Sequence, residues 1–141
     1  MNIPDNAIGL AKRFEGLSLR PYICPAGYPT IGYGHVIASV AHKEITKEEA
    51  EILLENDLLV AMSAVLRICP ILATEPPNRL AAIIDFTFNL GAGRLRASTL
   101  RLKINAKDWE GAGKELLKWI HGGGRVLPGL VKRRLAELEL L

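Results

Sequence analysis

Apolar residues first recur at helical spacing: Ile8, Ala11 and Phe14 share one face of a segment that Asp5 is placed to cap and that Gly16 ends. Glu15 therefore stands at a helix terminus. Over residues 17–40 the pattern changes to short β-compatible pieces, 19–23 and 30–33, broken by Pro25-Ala26-Gly27 and by Gly34. A small antiparallel sheet is expected there. Thr46-Lys47-Glu48-Glu49 has the form of a capping box, in which hydroxyl and carboxylate satisfy free backbone N–H groups. It opens a helix that runs to Ile68, roughly 33 Å long at 1.5 Å per residue. Its stripe of Leu53, Leu54, Leu58, Ala61, Val65 and Leu66 is able to connect a small lobe to a larger one, and Pro70 ends it.

After Pro76-Pro77, residues 80–90 are apolar on nearly every face and close at Gly91, which predicts the central core helix. Shorter amphipathic helices follow over 99–105, 108–120 and 129–140, punctuated by Gly122-Gly123-Gly124 and Pro128-Gly129. The fold class is α+β, with the sheet confined to an N-terminal lobe of about 16–44 and residues 1–141 forming a single domain.

A composition of 49% hydrophobic and 23% charged residues over 141 positions excludes long disordered segments. The net charge of +3 favours polyanionic surroundings: nucleic acid, anionic lipid or the acidic bacterial wall. A nucleic-acid binder is disfavoured, because neither an Arg-clustered recognition helix nor an aromatic RNA-binding strand motif occurs. No stretch approaches the roughly 20 apolar residues that span a bilayer, and the first residues lack the basic and apolar regions of a secretory signal. The chain is expected to be made in the cytoplasm, with a longer membrane-tethered parent trimmed at its N-terminus as the open alternative.

The chemistry concentrates in Glu15, Cys24 and Thr30, with eight and then five residues between them, and Ile31-Gly32-Tyr33-Gly34-His35 directly after. The segment EGLSLRPYICPAGYPTIGYGH resembles the active-site signature of the phage-type lysozymes, in which a Glu, an Asp or Cys, and a Thr occur at this spacing. ITKEEAE (45–51), FNLGAG (88–93) and GGRVLPGLVKRR (123–134) extend the likeness in order over almost the whole chain. The resemblance implies a lysozyme-like fold of two lobes with a cleft between them. It also implies hydrolysis of the β-1,4 bond between N-acetylmuramic acid and N-acetylglucosamine in peptidoglycan, causing host lysis. Glycosidic cleavage needs a proton for the leaving oxygen and stabilisation of an oxocarbenium-like transition state, usually from two carboxyl groups. Glu15 is the candidate acid, holding its proton through partial burial between Phe14 and the cleft wall. Cys24 stands where a second carboxylate often sits, as a nucleophile, a water-orienting partner or a hydrogen-bonding thiol. Thr30 is placed to hydrogen-bond the attacking water or Cys24. Inversion or retention depends on distances across the site, so it stays open here.

The resemblance makes Tyr33, His35, Asn89 and Gly91 candidate substrate contacts, with residues 91–93 forming a bend in the cleft wall. His35 is also a candidate partner of Asp57, because the helix from Thr46 carries Asp57 back past the sheet. No zinc-type pairing of His and Cys occurs, so neither metal nor cofactor is expected. Two free thiols, Cys24 and Cys69, are expected rather than a disulfide. Trp109 and Trp119 are read as core residues on one helix. Arg125, Lys132, Arg133 and Arg134 form a basic C-terminal patch, either solvated or a hold on the anionic wall. A monomer needing a holin-type membrane protein to reach the wall completes this reading. Its rival is a catalytically inactive wall-binding or regulatory module on the same fold, for which loss of Glu15 would have been the telling feature.

Overall fold

The computed structural model describes residues 1–141. Helix α1 (Asp5–Glu15) is followed by a three-stranded antiparallel sheet, β1 (Ser18–Ile23), β2 (Pro29–Gly32) and β3 (His35–Val36), in the order β1-β2-β3. Tyr22 pairs with Thr30 and Ile31 with His35 across it. Pro4, in extended conformation, is the N-cap of α1. Asp5 is thus the first helical residue and not the cap; its carboxylate makes no capping bond and acts only on the helix dipole. Gly16, at φ 69°, ends the helix as expected.

Helix α2 (Lys47–Ile68) starts on the predicted capping box: Thr46 Oγ1 accepts from the Glu49 amide and Glu49 accepts from the Thr46 amide. It crosses from the sheet to the helical lobe, burying Leu54, Leu58, Ala61 and Val65. A 3-10 turn (Pro70–Thr74) leads into α3 (Pro77–Leu90), whose residues from Leu80 to Thr87 are all buried. Around it pack α4 (Ala92–Arg96), α5 (Thr99–Asn105), α6 (Trp109–Leu116) and α7 (Pro128–Leu140). One apolar core runs from Ile31 and Ile45 through Leu58, Ile84 and Phe86 to Leu116.

Three expectations are corrected. The run over 91–93 is not one bend: Gly91, at φ 92°, breaks the chain, but Gly93 lies inside α4. Helix α6 ends at Leu116, so Trp119 is not on it. The indole of Trp119 meets the edge of Phe86 at 5.5 Å, while Trp109 carries the Arg79 guanidinium at 4.0 Å, and both pack against the core. Finally, β structure is not confined to the N-terminal lobe. His121–Gly122 (β4) and Arg125–Val126 (β5) form a hairpin whose two turn residues, Gly123 and Gly124, have φ 59° and 79°. Positive φ at both central positions gives a two-residue turn the twist that hairpin strands need, and glycine adopts it without steric cost.

Candidate active site

Glu15 is the last residue of α1, and the turn at Gly16 leaves its side chain on the helix end, facing α7. There Arg133 Nη1 donates to Glu15 Oε2 at 2.6 Å. The same guanidinium donates from Nε and Nη2 to Asp85 Oδ2 and Oδ1 at 2.9 and 2.8 Å. Arg133 is only 4% exposed and Glu15 23%. The carboxyl group thus meets a buried cation, where only partial burial between Phe14 and the cleft wall was expected. Phe14 contributes by lying under that cation, its ring centroid 5.5 Å from Arg133 Cζ. From the sheet side Gly34, at φ 72°, brings its backbone so close that a Cβ there would collide with the Glu15 carboxylate.

Cys24 follows β1 and starts the turn to β2; its carbonyl accepts from the Gly27 amide at 2.8 Å. The turn folds amide groups back onto the sulfur. The Tyr28 N–H foremost, with smaller contributions from the Ala26 and Gly27 amides, holds the thiol below its ordinary pKa against the opposing effect of desolvation. Thr30 is buried directly behind, within reach of that sulfur and donating to the Tyr28 carbonyl at 2.8 Å. Cys69 lies in the core, where burial pushes its thiol up to about 11.

Glu15 and Cys24 line one cleft of about 690 Å³, together with Tyr28, His35, Asp57, Asn89 and Gly91. Of the four candidate substrate contacts, His35, Asn89 and Gly91 are on this wall. His35 Nδ1 meets Asp57 Oδ2 at 2.8 Å, the expected tie between sheet and α2. Tyr33 is not on the wall. Gly32, at φ 67°, bends the chain before it, and the ring is buried in the core with Lys12 5.6 Å from its centroid. Asn89 is oriented from behind: Arg134 Nη2 lies 2.6 Å from its Oδ1. A guanidinium only donates, so the amide oxygen points inward and the amide NH2 is left for the cleft. Thr87, also on the wall, has a buried hydroxyl with no partner in the protein.

The basic C-terminal patch is therefore corrected for two of its members. Arg133 and Arg134 are 4% and 0% exposed and reach into the protein, while Arg125 and Lys132 remain on the surface. The physical reason is acidic partners inside: Asp85 and Glu137, both fully buried. Glu137 Oε1 is 2.8 Å from Arg134 Nε. Burial, reinforced by the neighbouring Asp85 carboxylate, pushes Glu137 up to about 10. Asp85 is held below its ordinary range: burial opposes this, but the hydrogen bonds from Arg133 and Glu137 outweigh it. Burial lowers Arg133, but its bonds to Asp85 and Glu15 prevail and raise it. Sequence reasoning missed this layer. Its signal was Asp85 itself, an acid inside an otherwise apolar core helix, which requires a buried partner.

Residues 12–137 match the phage lysozyme family. The chain belongs to that family. Among its relatives is the endolysin of Acyrthosiphon pisum secondary endosymbiont phage 1, 39% identical over 99% of this chain and 97% of that protein. The endolysin of Bacillus phage B103 is 38% identical over 99% of this chain, which spans 54% of that relative's length. The muramidase domain of SpmX from Asticaccaulis excentricus superposes with a TM-score of 0.85 at 30% identity, over 99% of this chain and 96% of that one. As a phage lysozyme, the molecule has the mixed helical architecture with a small antiparallel sheet that these neighbours share.

Proposed function

We propose that this lysozyme hydrolyses the β-1,4 bond between N-acetylmuramic acid and N-acetylglucosamine in bacterial peptidoglycan, with Glu15 protonating the leaving oxygen. The observation that carries the reading is the placing of Glu15 and Cys24 on one open cleft, with Glu15 fixed from behind by Arg133. A proton donor on one wall and a group of lowered pKa on the other suit an oxocarbenium-like transition state. Cys24, with backbone amides aimed at its sulfur, stands in for the second carboxylate. Thr30 orients it from beneath. Asn89 offers an amide NH2 to sugar oxygens, and Gly91 leaves the wall without a side chain.

The single domain of residues 1–141 both binds and cuts the glycan strand and works as a monomer. No helix is long and apolar enough to cross a membrane. Its proposed route to the wall runs from host cytoplasm to periplasm, opened by a holin-type partner.

The test compares the protein with Glu15→Gln at equal folded concentration, following turbidity of outer-membrane-permeabilised Gram-negative cells and release of reducing ends. Clearing and reducing ends that both vanish in Glu15→Gln are the expected outcome. Well-folded protein that binds walls but releases no reducing ends would identify a binding module instead.

A further inference from the structure

Asp85 is wholly enclosed in α3, four residues before Asn89, and its carboxylate grips two nitrogens of the guanidinium whose third nitrogen holds Glu15. We propose that Asp85, supported by Glu137, is a positioning residue of the lysozyme reaction: it fixes Arg133 and offsets its charge, and so sets the pH range in which Glu15 delivers its proton. This rests on Glu15 being the acid. A bare guanidinium at 2.6 Å would favour the ionised carboxylate, the form that has no proton to give. The bidentate contact with Asp85 counters that effect, and its geometry leaves Nη1 aimed at Glu15.

Arg133 and Arg134 face three carboxyl groups, those of Glu15, Asp85 and Glu137, inside a nearly closed space. With a proton on Glu137, that set is neutral when Glu15 is ionised and carries one positive charge when Glu15 holds its proton. The other ionisable groups around Glu15 are accounted for. On α1 itself, Lys12 pairs with Glu51 at 3.0 Å and Arg13 lies on the Phe14 ring. From the sheet lobe, Tyr22 and Cys24 face Glu15, and His35 is paired with Asp57 of α2. Arg133 is the cation in direct contact with the Glu15 carboxylate, and Asp85 is the group that controls it.

The test measures kcat and KM against pH on purified peptidoglycan for the wild type, Asp85→Asn and Leu100→Ala. Leu100 is a buried core residue on α5, outside the cluster, and its truncation controls for lost stability. In Asp85→Asn the alkaline limb of kcat should move to lower pH by about 1 unit or more, the size of effect an uncompensated neighbouring cation has on a carboxyl group. KM should stay near the wild-type value, and Leu100→Ala should keep the wild-type limb. An Asp85→Asn profile that overlays the wild type, or an equal shift in Leu100→Ala, overturns the proposal. A measurement on the unmodified protein stands even where Asp85→Asn does not fold. Carboxyl carbon NMR should show Glu137 protonated at neutral pH, by a signal absent from Glu137→Gln. An ionised Glu137 at neutral pH overturns the proposal too. Activity that survives in Glu15→Gln would remove the acid assignment itself. An inactive Glu15→Gln with an unmoved Asp85→Asn profile would reject the role of Asp85 alone.

Discussion

Cys24 and Cys69 are chemically the same group in opposite surroundings. Backbone amides, that of Tyr28 foremost, hold Cys24 below its ordinary pKa at the cleft, whereas burial raises Cys69 to about 11. The thiolate is the reactive form, so iodoacetamide at neutral pH should modify Cys24 first, with Cys69 reacting only on unfolding. Lytic activity should fall in step with Cys24 modification followed by mass spectrometry; full modification with activity intact would take Cys24 out of the mechanism. Cys24→Asp should retain substantial activity, because a carboxylate satisfies the same amides, and a folded but inactive Cys24→Asp would point to chemistry specific to sulfur. The nearness of Glu15, Cys24 and Thr30 was legible because they sit within one hairpin's reach of each other in sequence. Arg133 and Arg134 were misread because a run of cations is normally solvated. What reverses that is Asp85 and Glu137, remote from each other in sequence and joined only in the fold. Tyr33 was misread for a similar reason: nothing in its neighbours shows that the turn at Gly32 sends its ring into the core.

At the scale of elements, α2 and α3 were legible because each carries several turns of apolar spacing and clear end signals. The capping box of α2 bridges Thr46 and Glu49 in both directions, at 3.1 and 3.3 Å. Thr46→Ala should lower the unfolding free energy by about 1 kcal/mol, the usual contribution of an N-cap hydroxyl. Urea unfolding checks it, with specific activity per folded molecule unchanged; a change under a few tenths of a kcal/mol would mean the helix end is held by packing alone. The elements that escaped were short. A helix of five residues, such as α4, completes little more than one turn and shows no period. The β4–β5 hairpin has two residues per strand, too few for alternation, and its glycines read as simple breaks.

For the whole molecule, the buried acids set opposing responses to pH. Asp85, held low in the fold, contributes stability above the ordinary carboxylate range that is lost as acid protonates it. Glu137 acts the other way. Its proton is retained in the fold to about 10 but released near 4.5 in the unfolded chain, so its contribution is full below 4.5 and declines as pH rises through that window. Glu137→Gln keeps a neutral donor for Asp85 and removes this titration. The loss of unfolding free energy between pH 5 and pH 9 should therefore be smaller in Glu137→Gln than in the wild type, measured by urea unfolding at several pH values. Equal slopes would show that Glu137 is ionised in the native state.

The contact between Glu15 and Arg133 joins residues 118 positions apart. Synthesis proceeds from the N-terminus, so a nascent chain already holding Glu15, Cys24 and Thr30 still lacks the helix that secures the acid. Until α7 docks, the Glu15 carboxylate lacks its Arg133 partner. A chain growing residue by residue therefore cannot make the Glu15–Arg133 contact until α7 has been synthesised.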